Sequence, residues 1–394
     1  MEHGDKPIET ATSKHGNVRL YLRVAALCLA LAFQMLLTMP TATTYSDTTD
    51  FTAVYYGARC VLNRSTENLY DVLSQDADEG VYLLFAYHPV WAYLLSPLAL
   101  LPYPLAVTVW WCFSLVMYAV TVFFAARYLA LLGRDSALGV TSLSLVLYPF
   151  SANQALCQTN SLVAALITCF AFGIRRGRSL TYVLAGASLA LACLMKGWPV
   201  LLLASCLCNL WVMGSAVMTT VLASMAVGPG LAIEWLRTMV EASRATYLHA
   251  AAPDNVSLNG ILMMWDVPQL MRFVAMGLVW VFAVCFVVPR RRQLSAFGVL
   301  VLASLVSFPN VQIHWLSVVT VVLVARVSSG GIARATAALW VALTSLQYCS
   351  LWQSHLAVVL SCLLLPVPFA LTIWSLRHEP TEEVLEAMGK NMAT

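Results

Sequence analysis

Apolar stretches of about 20 residues recur from Val24 to Trp374, each long enough to cross the roughly 30 Å hydrocarbon core of a bilayer as a helix. Inside lipid every backbone polar group has to be satisfied internally, which leaves helices and closed barrels as the only spanning structures. A barrel is built from short segments of alternating hydrophobicity, whereas these runs are continuously apolar. The expected fold is an all-α polytopic membrane protein. Composition agrees: 60% of the 394 residues are hydrophobic and 10% are charged, against about 25% charged in a soluble domain.

The net charge of +3 is too small to imply a nucleic-acid partner. The 11 cysteines scatter through apolar runs without metal-ligand spacing. Thiols in such surroundings behave as small hydrophobes, so neither a disulfide framework nor a zinc site is expected. The polar stretch Met1–Asn17 precedes a long apolar segment flanked by Lys14, Arg19 and Arg23. Thr41-Ala42-Thr43 would serve a cleaved signal peptide, but the apolar stretch exceeds a typical signal core and reads as an uncleaved first helix.

The distribution of charge sets a topology, because Lys and Arg in short loops mark the cytoplasmic side. The clusters are Lys14/Arg19/Arg23, Arg127/Arg134, Arg175/Arg176/Arg178, Arg290/Arg291/Arg292, Arg326/Arg334 and Arg377. Placing all of them inside predicts about twelve transmembrane helices with both termini cytoplasmic. The predicted spans are 19–39, 105–130, 136–152, 158–174, 180–196, 200–213, 215–232, 268–288, 295–308, 312–326, 334–350 and 355–376. The run Tyr87–Leu101, broken by Pro89 and Pro97, must then stay on one side as a re-entrant or surface segment. The chain reads as one transmembrane domain with two long extracytoplasmic regions, 40–104 and 234–267. No Asp or Glu falls in mid-helix, unlike a proton-coupled pump.

The first outer loop opens with Asp47-Thr48-Thr49-Asp50, a helix-start signal. Phe51, Val54, Tyr55, Ala58 and Leu62 then recur at helical spacing, as in an amphipathic helix lying on a membrane surface. Asp47 and Asp50 are either N-caps or, in the case of Asp50, a general base where an amphiphilic substrate meets water. Asp76-Ala77-Asp78 has the form of a cation-holding DxD in an acidic, solvated stretch. It leaves a divalent cation open, and no other cofactor is expected.

Several motifs of this chain resemble glycosyltransferase family 87 of the GT-C superfamily. They are Asp50-Phe51-x-x-Val54-Tyr55-Tyr56-x-Ala58, Asn68-Leu69-Tyr70-Asp71, Phe85-x-Tyr87-x-Pro89 and Ser96-Pro97-Leu98-Ala99-Leu100-Leu101-Pro102. Gln158-Thr159-Asn160 is similar to the family's Gly-Gln-x-Asn, with Cys157 in place of the Gly. Met195-Lys196-Gly197-Trp198-Pro199 is similar to its Lys-x-x-Pro. Asn255-Val256-Ser257-Leu258-Asn259-Gly260 is similar to its Asn-x-Ser-Leu-x-Gly, and His314 stands where the family places a histidine before a late helix.

The resemblance implies a GT-C glycosyltransferase fold and transfer of mannose from a polyprenyl-phosphate donor to an acceptor hydroxyl outside the cytoplasm. Its partners would be the polyprenyl-phosphate sugar, a glycan or glycolipid acceptor and membrane lipids. Asp50 matches the catalytic aspartate, with Asp47 orienting the acceptor or acting instead. A β-linked donor and an α-linked product imply a single inverting displacement. Lys196, His314, Arg59 and His88 are the candidates for the leaving phosphate; Gln158 and Asn160 are candidates for sugar hydroxyls. Tyr55 is one of several aromatic residues able to stack on a sugar or to line an interfacial belt. His249 and Asn255 fall in the second outer loop, a candidate lid or acceptor site. Another polyprenyl-phosphate sugar is equally compatible with these residues. A transporter of the same build would show internal repeats, and none is present.

Overall fold

The computed structural model describes residues 11–44, 50–70, 85–207, 209–249, 255–287, 294–308, 311–327, 331–350, 363 and 366–376. Those residues form helices joined by short turns; their only extended pairing is one antiparallel bridge, Asn255 with Gln312. In chain order the helices are α1 (Ala11–Leu37), α2 (Met39–Thr44), α3 (Asp50–Leu62), α4 (Pro89–Leu94), α5 (Tyr103–Phe124) and α6 (Arg134–Leu145). Next come α7 (Tyr148–Ala155), α8 (Asn160–Arg176), α9 (Ser179–Met195), α10 (Leu210–Val227), α11 (Pro229–His249) and α12 (Leu258–Met264). The series ends with α13 (Gln269–Val287), α14 (Leu294–Ser307), α15 (Ser317–Arg326), α16 (Gly331–Ser350) and α17 (Pro366–Leu376).

Among the described residues three helical stretches are long and apolar enough to cross a membrane: Val18–Thr43, Tyr103–Leu129 and Leu210–Val227. Shorter apolar helices cover Ser179–Met195, Gln269–Cys285, Phe297–Ser307 and His314–Arg326. The long helices turn apolar faces outward, with Leu36 at 80% and Leu210 at 84% exposure and Val116 and Leu222 also exposed. In water such surface would drive aggregation; it suits lipid tails.

Three boundaries differ from the sequence expectation, each for a local reason. The stretch expected at 136–152 is two helices, α6 and α7, because the Pro149 ring would collide with the Leu145 carbonyl in a continuous helix. The stretch expected at 200–213 is a 3₁₀ segment, Trp198–Cys206, and the next helix starts only after Asn209. The Asn209 side chain accepts from the Val212 N–H at 3.2 Å, capping α10. The helix expected at 215–232 is therefore shifted to Leu210–Val227, where Gly228 ends it with φ 96°. The region 234–267, whose first part reads from the sequence as an amphipathic helix with Trp235, Met239 and Ala242 on one side, begins within α11, of 21 residues. The segment after Tyr87 holds α4 and the 3₁₀ turn Ser96–Leu100. At 1.5 Å per residue, the 6 residues of α4 reach about 9 Å, far short of a bilayer.

The core is built where α8 packs against α5, α9 and α15, with α14 against α15. A buried polar network fixes the α7–α8 hairpin within it. The Ser114 hydroxyl lies 2.7 Å from Gln154 Oε1 and 2.8 Å from Ser161 Oγ. Gln154 Nε2 donates to the Trp111 carbonyl at 3.2 Å, and Asn153 Nδ2 to Ser161 Oγ at 3.2 Å. Trp110 Nε1 donates to the Cys157 carbonyl at 3.0 Å. Unpaired, each of these groups would cost about 1–3 kcal/mol in a dry interior. The network thus defines one position for the turn that follows Ala155.

Candidate active site

The site assembles at helix ends, where backbone and side-chain polar groups are unsatisfied by the helices themselves. Asp50 is the first residue of α3, and its neighbour Phe51 stacks on Trp110 with ring centres 5.5 Å apart. Gly57 is the close-approach point that docks α3 on the loop before α4. A Cβ there would meet the Phe85 ring at 2.6 Å. Gln158 and Thr159 form the turn between α7 and α8, and Asn160 starts α8. Lys196 caps the C-terminus of α9 in extended conformation. Tyr87 and His88 precede α4, and His314 and Trp315 lie in the 3₁₀ turn Ile313–Leu316 before α15.

Side chains from these five segments meet in one line. Gln158 Nε2 donates to Asp50 Oδ2, and the other end of the same amide accepts from Lys196 Nζ at 3.4 Å. The Lys196 ammonium sits 4.5 Å from the Trp315 ring centre and 5.6 Å from that of Tyr87, within cation–π range of both. Burial holds the Tyr87 phenol well above its usual pKa, the Asp50 charge adds to this, and the Thr159 hydroxyl opposes it. Tyr87 therefore stays a protonated donor. His314 is 3% exposed, and its Nε2 has no hydrogen-bond partner among the described residues. Asn160 Nδ2 reaches the His314 carbonyl at 3.4 Å, while the buried Asn160 Oδ1 is likewise unpartnered.

The turn that carries Gln158 shows why a glycine would suit the position of Cys157. This residue adopts φ 49°, a left-handed conformation that costs a side-chain-bearing residue of order 1–3 kcal/mol and a glycine nothing. Burial pushes its thiol up to about 12, with the Asp50 charge adding to the effect. Cys157→Val, β-branched in that conformation, is expected to lower stability by about 2 kcal/mol. Cys157→Gly should melt no lower than wild type. Equal losses in the two variants, measured by thermal unfolding in detergent, would show that backbone strain is unimportant there.

Other residues singled out by sequence lie elsewhere. Tyr55 donates its hydroxyl to the Leu101 carbonyl at 2.8 Å and packs edge-on against Tyr103. Arg59 is exposed in the last turn of α3. Asn255 Oδ1 accepts from the Ser257 N–H at 3.1 Å and the Val311 N–H at 3.0 Å, stapling the α12 turn to the strand-like stretch that leads into His314. Gly260 is needed beneath it, since a Cβ would meet the Asn255 side chain at 2.6 Å. Asp47, Asp76 and Asp78 lie outside the described residues, as does the side chain of His249, the last residue of α11. Among the described residues no three His, Cys, Asp or Glu side chains group as metal ligands.

His88 is fully buried but turned away from the Asp50 line. Its backbone N–H donates to the Leu194 carbonyl at 2.9 Å, two residues before Lys196. Nδ1 accepts from the Val90 N–H at 3.2 Å, so the ring proton sits on Nε2, 3.3 Å from Ser224 Oγ. Trp235 of α11 meets the ring edge-on. Burial lowers the imidazole from 6.5 to about 4. The unfolded chain then binds the proton more readily, and the stability this group contributes is full above about 6.5 and lost as pH falls towards about 4. His88→Gln, which preserves one acceptor and one donor, is expected to flatten that part of the melting-temperature profile. An unchanged slope would assign the acid sensitivity to other groups.

Sequence reading passed over Tyr87 and Thr159 as site members. Tyr87 stood inside the Phe85-x-Tyr87-x-Pro89 motif, but nothing local in the sequence reveals that its ring lies under a lysine more than a hundred positions later. Comparison with known proteins returned no curated protein and no solved structure that matches. Residues 85–311 match the family description Glycosyltransferase family 87, over more than half of the 394 residues. Tyr87, Gln158, Asn160 and Lys196 lie inside the matched stretch, with Asp50 and His314 outside it. The membrane helices and this match together make the chain a membrane glycosyltransferase belonging to glycosyltransferase family 87.

Proposed function

We propose that the protein transfers a mannosyl residue from polyprenyl-phosphate mannose to a hydroxyl of a glycan or glycolipid on the extracytoplasmic face of the membrane. The observation that carries this reading is the Asp50–Gln158–Lys196 line: a carboxylate and an ammonium held at separate points of one site. Such a transfer needs a base for the acceptor hydroxyl and positive charge for the departing phosphate. Asp50 takes the acceptor proton as the acceptor oxygen bonds to the sugar's anomeric carbon. The bond from that carbon to the phosphate oxygen breaks on the opposite face, and the phosphate leaves with the electron pair and the lipid. The configuration inverts, and no covalent enzyme intermediate forms.

Lys196 meets the leaving phosphate through the N–H bonds not used by Gln158, and His314 Nε2 and Asn160 Oδ1 face the donor with their free hydrogen-bonding capacity. The aromatic walls of Tyr87 and Trp315 keep the ammonium oriented while giving it no carboxylate to neutralise it. The exposed apolar face of α10 suits a prenyl tail.

The direct test offers purified protein radiolabelled polyprenyl-phosphate mannose together with a mannose-bearing lipid acceptor. Labelled product of inverted configuration is the expected result. Product formed only from another polyprenyl-phosphate sugar would retain the chemistry and change the sugar. Absence of transfer from every such donor would overturn the reading.

A further inference from the structure

We infer that Gln158 is a positioning residue: its amide spans the gap between the Asp50 carboxylate and the Lys196 ammonium and prevents the two from collapsing into an ion pair. The inference rests on the proposed roles of Asp50 and Lys196 and assigns Gln158 a task other than holding a sugar hydroxyl.

The chemistry of the two partners fixes the amide in one orientation. An ionised carboxylate only accepts and an ammonium only donates, so Nε2 must face Asp50 and Oε1 must face Lys196. A flipped amide would set oxygen against oxygen and donor against donor. Gln158 is 1% exposed, and water does not compete for either end. The backbone leaves it little freedom, since its N–H is tied to the Asn153 carbonyl at 3.0 Å just after the left-handed Cys157. Among the described residues no carboxylate lies within ion-pair distance of Lys196, whose contacts are this amide and two aromatic rings.

Without the spacer, the opposite charges of Asp50 and Lys196, both only partly exposed and each within hydrogen-bond reach of the same amide, attract one another. Direct pairing would draw the ammonium off Trp315, away from where a phosphate departs, and would occupy the carboxylate oxygen meant for the acceptor hydroxyl. An amide also satisfies both charges at once while adding no charge of its own.

Two near-isosteric variants separate spacing from mere packing. Gln158→Glu retains an acceptor for Lys196 but confronts Asp50 with a second carboxylate. It is expected to lower kcat about 100-fold, a typical cost of misplacing a catalytic group, and to raise the donor KM as well, because the new carboxylate pairs with the Lys196 ammonium. Gln158→Met removes both hydrogen bonds and should lower kcat and raise the donor KM together. In the Gln158→Met background, Lys196→Met should cost far less than it does in wild type, because the ammonium has already been lost to the ion pair. Parallel losses in both variants with KM unchanged, or effects of Gln158→Met and Lys196→Met that simply multiply, would overturn the inference.

A substrate-free cycle separates this failure from failure of the proposed function. Melting temperatures in detergent of Asp50→Asn, Lys196→Met and their double variant should be nearly additive with Gln158 present and strongly coupled in Gln158→Met. That pattern in a protein that transfers no polyprenyl-phosphate sugar would sustain the spacer and sink the reaction. Additivity in both backgrounds would sink the spacer even where transfer is robust.

Discussion

Asp50→Asn is expected to reduce transfer by about 10³-fold, within the 10²–10⁴ range of a lost general base, with melting temperature close to wild type. Asparagine is the same size and still accepts the Gln158 N–H, so the amide retains its orientation. What disappears is the capacity to take a proton from the acceptor hydroxyl. Asp50 also begins α3, where a negative charge is favoured by the helix dipole at about 0.3–1 kcal/mol, and this bounds the stability change. Donor KM should stay near wild type, since in the proposed reaction Asp50 meets the acceptor and not the lipid phosphate. Transfer that survives the substitution would move the base to another carboxylate, with Asp47 first in line. A protein that loses activity only by unfolding would leave the N-cap as the whole role of Asp50.

Lys196→Met carries the second large effect, a loss of about 10²–10³ in kcat/KM of the size seen when one stabiliser of developing charge is removed. Met fills the same volume between Tyr87 and Trp315 and suits an aromatic slot, so the fold should survive. Lys196→Arg is expected to rescue only in part. The planar guanidinium is wider than an ammonium and cannot keep both the 4.5 Å approach to Trp315 and the bond to Gln158. Full activity in Lys196→Met would remove the cation from the reaction and leave His314 as the phosphate partner. Measured against donors whose leaving groups are better or worse, the Lys196→Met defect should shrink as the leaving group improves, because charge build-up on it then matters less.

The difference between these two substitutions also marks what the sequence could say. The helix-start pattern and amphipathic run around Asp50 fit a cap as well as a base, and only the resemblance to family 87 singled it out as the candidate base. Lys196 was legible because a lysine at the end of an apolar helix demands a reason. Sequence reasoning also singled out Arg59, Tyr55 and, through the family resemblance, Asn255, which the structure gives surface, packing and stapling positions. Pattern within one segment identifies a residue that is unusual for its helix; it carries no information about which other segment that residue meets.

The sequence by itself determined the helical class and the membrane habit, because apolar runs of bilayer length leave the backbone no alternative. It also determined most helix positions, since prolines, glycines and apolar runs act within a few residues of themselves. Tertiary structure alone decided the left-handed turn at Cys157 and the meeting of Asp50, Gln158, Lys196, Tyr87 and Trp315. Those five residues come from four separate helix ends and one loop. Their approach is set by how α3, α8, α9 and α15 pack, a sum over many weak apolar contacts and a buried hydrogen-bond network that no local stretch of chain encodes.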